Sequence, residues 1–246
     1  MEEVRRQYAE KVEKVLLASN RTPVRPVEFR SQCGEDGFIW DLFERGPAPL
    51  LEGFYIEVGA FNGYDFSTTY ALDCAGWRGL LVEPIPERYA ECVRNRPTAR
   101  VVHAALGGPG SSGTTTFTVT DDIHGGMLSR LGVDRRARPG DVKSERQVTV
   151  PFTTMDALLA GHTGEIDVAV IDVEGAEVPL LKGFSLEKYG PKVILIEDEK
   201  GETPIEQHMR TRPYQQIGWM AFNRVYARND LAYEFAVRLY GPEAFR

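Results

Sequence analysis

Cysteine is scarce in this chain: three in 246 residues, Cys33, Cys74 and Cys92. An odd number without metal-ligand spacing excludes a disulfide framework and a thiolate zinc centre. Reduced thiols packed among apolar neighbours are expected, in a cytoplasmic protein. No run of about eighteen apolar residues occurs, so no membrane-spanning helix is expected. The start, Met1-Glu2-Glu3-Val4-Arg5-Arg6, lacks the basic-then-apolar layout of a secretory signal. Positive charge is also short: 29 Lys and Arg stand against 36 Asp and Glu, a net charge of −7. A surface of that sign repels a phosphate backbone unless its basic residues share one face, so nucleic acid is not the expected partner.

What is present is an alternation of short apolar runs with helical stretches. Val4, Tyr8, Val12, Val15 and Leu16 recur at helical spacing, which predicts an amphipathic helix followed by an irregular linker to residue 30. Such a helix can cover a ligand or join copies into a homo-oligomer, and the sequence leaves both open. A second helix is expected from Glu35 to Phe43. Strands are expected at Phe54 to Val58, Gly79 to Glu83, Arg100 to Ala104, Asp167 to Asp172 and Lys192 to Glu197. Most are continuous in Val, Ile and Leu, as suits strands buried on both sides of a parallel sheet. Between them lie helical stretches at Tyr64 to Ala75, Pro86 to Asn95 and Ala176 to Lys182. The expected fold is a Rossmann-like α/β domain over residues 31–246, a mostly parallel, doubly wound sheet with helices on both faces. Two more strands are expected at Gln215 to Phe222 and Arg224 to Arg228. Between the third and fourth core strands sits an insertion, about residues 110–150. There Thr114 to Val119 and Gln147 to Phe152 read as strands bracketing a Gly-rich, charged segment, a candidate lid.

The first strand ends in Glu57-Val58-Gly59-Ala60-Phe61-Asn62-Gly63, a glycine turn that lets a ligand approach the backbone. The second ends in Glu83, about 24 residues beyond Gly59, where dinucleotide folds place the acid that holds ribose hydroxyls. An adenosine-containing ligand is therefore indicated. The third glycine of G-x-G-x-x-G, which lets backbone donors reach a pyrophosphate, is missing. Instead Glu57 stands near, and a carboxylate suits the ammonium of S-adenosylmethionine. A nicotinamide-dependent oxidoreductase and a non-catalytic cofactor-binding module are the alternatives.

Four blocks in order carry a resemblance: Ser31-Gln32-Cys33-Gly34-Glu35-Asp36; Tyr55 to Thr69; Leu80-Leu81-Val82-Glu83-Pro84; and Ile166 to Glu177 with its Ile171-Asp172-Val173-Glu174-Gly175 core. Together they resemble FkbM-type S-adenosylmethionine-dependent methyltransferases, and the similarity spans about Ser31 to Glu197. Ser67-Thr68-Thr69 departs from the S-N-T of one branch. The resemblance implies the class I methyltransferase fold, with Glu57, Gly59, Ala60 and Gly63 around the methionine end of the cofactor. It implies Glu83 and Pro84 at the ribose, Ala104 and Ala105 bordering the adenine, and polar contacts from Gln32 and Ser67.

The fourth strand ends in Asp172-Val173-Glu174-Gly175 and the fifth in Glu197-Asp198-Glu199. Adjacent strand ends would bring these acids to one crevice, where adenine N-methyltransferases typically carry N-P-P-Y or D-P-P-Y. That points to oxygen as the target, a hydroxyl of a sugar, glycan or natural-product small molecule. Asp172, Glu197 and Asp198 can hold Mg²⁺, which favours a few carboxylates plus water and substrate oxygens. Equally, Asp172 can touch the cofactor or cap the next helix while Glu197 to Glu199 are merely solvated. Candidates for the general base are Asp172, His124 in the lid and His208 after the fifth strand. Arg135, Arg136 and Arg138 read as a solvated loop face or a clamp for an anionic acceptor.

Overall fold

The structure, a computed structural model, describes residues 2–45, 50–122, 126–131, 142–198 and 203–245. Two helices lead, α1 (Glu2–Ala18) and α2 (Glu35–Glu44). There follow β1 (Phe54–Val58), α3 (Tyr70–Cys74), β2 (Arg78–Glu83), α4 (Pro86–Asn95) and β3 (Arg100–His103). The insertion holds β4 (Ala105–Leu106), β5 (Thr114–Asp122) and β6 (Val142–Thr153). Then come α5 (Met155–Leu158), β7 (Val168–Ile171), α6 (Glu177–Lys182), α7 (Leu186–Tyr189), β8 (Val193–Glu197) and α8 (Pro204–Met209). The hairpin β9 (Tyr214–Met220) and β10 (Asn223–Arg228) and the helix α9 (Ala232–Tyr240) complete it.

The main sheet runs β3-β2-β1-β7-β8-β10-β9, parallel through β8, with β10 antiparallel to both neighbours. Strand order reverses between β1 and β7, and a ligand crevice lies at such a switch point, outside the carboxyl ends of the strands. β7 and β8 read Val-Ala-Val-Ile and Val-Ile-Leu-Ile because both faces are covered. One face packs against α1, α2, α3 and α9, the other against α5 to α8. Val12 and Leu16 of α1 are fully buried in the first of these clusters, so the N-terminal helix shares the core of the remainder.

Two expectations change. The helix expected from Tyr64 begins only at Tyr70. Phe61 and Phe66 are left-handed, at φ 49° and 61°, and the Asn62 side chain accepts from the N–H groups of Tyr64 and Asp65, so the backbone turns before it coils. The insertion is more regular than its composition suggests. β5 and β6 pair from Thr114–Pro151 out to Asp122–Val142 and join β4 in a three-stranded sheet. Phe117, Val119 and Val150 pack with Ala105 of β4 and anchor that sheet on Ile85. The buried Asp122 carboxylate accepts from Gly126 N and Leu128 N, folding residues 126–131 back over β5.

Candidate active site

The crevice is built where the tight turn after β1 meets the end of β7. Gly59 has φ 79°, and a Cβ there would stand 1.7 Å from the carbonyl oxygen of Asp172. Only glycine allows β1 and β7 to exit this close together. The opening above is about 680 Å³ counted out to solvent. Its walls include Gly59, Phe61, Glu83, Pro84, Ala104 and Ala105, with Asp172 and Glu174 from the loop after β7. Phe117, Met127 and Leu131 of the insertion close one side.

Glu83 ends β2 at 3% exposure. Its carboxylate accepts from Phe61 N (2.9 Å) and Ile85 N (2.8 Å), which fixes both oxygens. Burial nevertheless pushes its pKa up to about 8, because two neutral donors do not replace the water it has lost. Beside it, the His103 ring nitrogen bonds to the Pro84 carbonyl at 2.9 Å and the ring stacks on Tyr89. These contacts brace the rim over which Ala104 and Ala105 leave a smooth, small-residue floor.

Other expected cofactor contacts lie elsewhere. Glu57 is buried beneath the turn, where its carboxylate accepts from Ser67 Oγ, Thr68 N and Thr69 Oγ1 and pairs with Arg96 at 3.2 Å. Arg96 is fully buried, and its guanidinium also bonds Ser67 Oγ and the Tyr55 hydroxyl. Glu57 and Ser67 therefore hold the glycine turn in place from below and do not line the crevice. Gly63 packs on α4: a Cβ there would stand 2.7 Å from Cys92 Sγ. Ala60 is buried off the crevice and Gln32 is exposed outside it. Arg96, which organises this network, was not singled out from the sequence; a lone arginine at a helix end carries no local signal.

At the other wall, carboxylate oxygens of Asp172, Glu174 and Glu197 lie within 4.8 Å of one another. Asp198 does not join them. Its side chain is buried, accepting from Arg224 Nε (2.7 Å) and Thr203 Oγ1 (2.5 Å), so the metal reading loses Asp198 and gains Glu174. Glu174 reaches the cluster through two successive left-handed residues, Glu174 (φ 52°) and Gly175 (φ 99°). Glu177, 4% exposed, steadies that turn by accepting from Gly175 N at 2.9 Å.

His208 is off the crevice as well. It closes α8, its Nε2 accepts from Arg212 Nε, and burial with Arg212 and Lys182 lowers its pKa. Because Lys182 ends α6 and the crevice adjoins the start of α6, His208 sits at the far end of that helix. Replacing His208 with asparagine is therefore expected to leave the affinity for S-adenosylhomocysteine within about twofold, read by calorimetry, since no contact to the crevice is removed. A tenfold loss would place the histidine in contact with the crevice. His124, Arg135, Arg136, Arg138 and Glu199 lie outside the described residues.

A dinucleotide is poorly served here. The helix N-terminus that would receive its pyrophosphate does not begin until Tyr70. The family comparison agrees. The family described as methyltransferase FkbM domain matches residues 57–226. No curated protein matches the sequence. Among solved structures, the backbone is similar to the METTL16 methyltransferase domain, 13% identical over 78% of this chain and 64% of that one, at a TM-score of 0.41. The chain thus spans less than two thirds of that relative. It is also similar to human methyltransferase 10 domain containing protein, 12% identical over 78% and 79%, at a TM-score of 0.43. A third is an O-methyltransferase from Bacillus cereus in complex with SAH, 15% identical over 90% of each chain, at a TM-score of 0.43.

Proposed function

The chain belongs to the FkbM methyltransferase family, S-adenosylmethionine-dependent enzymes of class I fold, and on that premise we propose that it methylates a hydroxyl oxygen of a sugar, glycan or natural-product small molecule with the help of a divalent cation. One observation carries the finer part of this reading: Asp172, Glu174 and Glu197 converge at the lip of the crevice next to Gly59. Three acids there suit an alcohol. They accept its hydrogen bond, orient its oxygen and offer a place for its proton.

When bound, S-adenosylmethionine supplies an electrophilic methyl group, so the protein's work is mainly alignment. Glu83 would hold the ribose hydroxyls, the Gly59 backbone would border the methionine end, and Ala104 and Ala105 would border the adenine. The three carboxylates match the all-oxygen donor set that Mg²⁺ prefers. Such an ion lowers the pKa of a coordinated hydroxyl, as it does for water.

Two outcomes are expected. With methyl-¹³C cofactor and a panel of glycosides and polyketide alcohols, the product's labelled carbon should carry the carbon-13 shift of a methyl ether. A shift typical of N–CH₃ would contradict the reading. Chelator treatment should lower turnover by roughly tenfold or more, with Mg²⁺ restoring it, because a cation held by Asp172, Glu174 and Glu197 would offset negative charge on the acceptor oxygen. Turnover unchanged in stripped protein would remove the metal and leave the carboxylates alone as the orienting groups.

A further inference from the structure

A second opening lies on the face covered by α1 and α2. It is lined by Tyr8, Phe29 and Phe38 with Met220 and the aliphatic part of Val4, and measures about 930 Å³ counted out to solvent. The side chains of Arg5, Tyr8 and Asp36, which also line it, bond to residues outside the lining. The Arg5 guanidinium donates to the Ser31 carbonyl at 2.5 Å, and the Tyr8 hydroxyl donates to Asp41. Asp36 accepts from the N–H groups of Arg30 and Ser31. Most of the surface this groove offers a ligand is apolar and aromatic, with a flexible methionine at its lip.

Its place relative to the acids sets a length. Met220 pairs with Asn223, and Asn223 pairs with Glu197. Two strand spacings, ~10 Å, therefore separate the groove's lip from the carboxylate cluster, roughly the span of one or two six-membered rings. Apolar residues also stand near the groove's lip. Phe66 bridges to Ser31 and is 48% exposed, Gly34 approaches Met220 (a Cβ there would be 3.8 Å from its methyl), and Phe222 is 49% exposed.

We infer that the acceptor is amphipathic: its reacting hydroxyl meets Asp172, Glu174 and Glu197 while an apolar body, one or two rings away, lies in the groove formed by α1, α2 and the β9–β10 turn. This rests on the methyl-transfer reading and narrows it, setting glycosides of apolar aglycones and hydroxylated polyketides above free oligosaccharides. It also gives the N-terminal helix a task, as one wall of the acceptor site.

The test uses n-octyl β-D-glucopyranoside against methyl β-D-glucopyranoside, titrated into the whole protein saturated with S-adenosylhomocysteine. Binding is followed through the methionine methyl signals in NMR. The octyl compound is expected to bind at least about tenfold more tightly, the effect of burying two methylenes, and to move the Met220 signal. Met220→Gln and Phe38→Ser should each bring the octyl affinity down toward that of the methyl compound. Equal affinities for the two glucosides in the wild-type protein, or octyl binding that leaves the Met220 signal in place, would overturn the inference whether or not the variants fold. Failure of S-adenosylhomocysteine to bind at all would instead strike the methyl-transfer reading, and the octyl-to-methyl comparison would then be made on the free protein.

Discussion

Gly59→Ala is expected to cost the protein about 3 kcal/mol or more and to abolish binding of S-adenosylhomocysteine. The added Cβ would meet a backbone oxygen, that of Asp172, at 1.7 Å. Neither partner can retreat cheaply. Asp172 N donates to Val58 O at 3.1 Å and Gly59 N donates to Val82 O at 3.0 Å, so the collision sits among the three central strands. The left-handed φ of 79° adds its own penalty for any side chain. Gly161 is the control. It is also left-handed, at φ 109°, but a Cβ there would meet nothing within 4 Å. Gly161→Ala should then cost only ~1–2 kcal/mol and leave cofactor binding intact. Urea unfolding and calorimetry read both quantities. Equal losses at the two glycines would mean that conformational strain, not the close approach of β1 and β7, makes Gly59 necessary.

Glu83→Gln should weaken the affinity for S-adenosylhomocysteine by about a hundredfold, because hydrogen bonds from ribose hydroxyls to a charged acceptor are each worth ~1.5–3 kcal/mol and an amide keeps only part of that. The wild-type affinity should also depend on pH. Burial holds the Glu83 pKa at about 8, above its ordinary 4.5, so the carboxyl is mostly protonated at neutral pH before a ligand binds. Hydroxyl donors favour the ionised form, so binding displaces a proton. Affinity should rise with pH up to about 8 and level off beyond it, and Glu83→Gln should flatten that slope. Stability runs the other way. Between about pH 4.5 and 8 the unfolded chain has released this proton while the folded protein retains it, so the unfolded state binds fewer protons and stability falls as pH rises. The contribution is fully present below 4.5 and lost as pH passes through 8. Thermal unfolding of wild type and Glu83→Gln across that window separates this residue from the other carboxylates.

How far the sequence carried these conclusions depended on whether the partner was local. β1 and α4 lie where the residue pattern puts them, Phe54–Val58 and Pro86–Asn95, because a short apolar run and a proline at the first helical turn are local instructions. Glu83 and Gly59 were legible for the same reason: strand end, turn and spacing fix them in any sheet of this kind. Glu57 was not, since its fate is decided by Arg96, 39 positions away, which draws the carboxylate under the turn. The exchange of Asp198 for Glu174 has a similar origin. Successive residues leaving a strand face opposite ways, and Arg224 on the antiparallel β10 captures Asp198 on its side. Glu174 needed two left-handed residues in a row to reach the cluster, and Glu-Gly states only that such a turn is allowed. The strands of the insertion extend past their apolar stretches because Asp122 folds residues 126–131 back on β5, a contact invisible to periodicity. α9 is not among the expected helices, although Ala232, Phe235, Ala236 and Leu239 recur at helical spacing and pack into the core.

The most direct measurement is a crystal structure of the protein grown with S-adenosylhomocysteine. Density for the nucleoside between Gly59 and Ala104, with both ribose hydroxyls on the Glu83 carboxylate, is the predicted result. A clear crevice at saturating ligand, or a nucleoside bound away from Glu83, would contradict the account at its root.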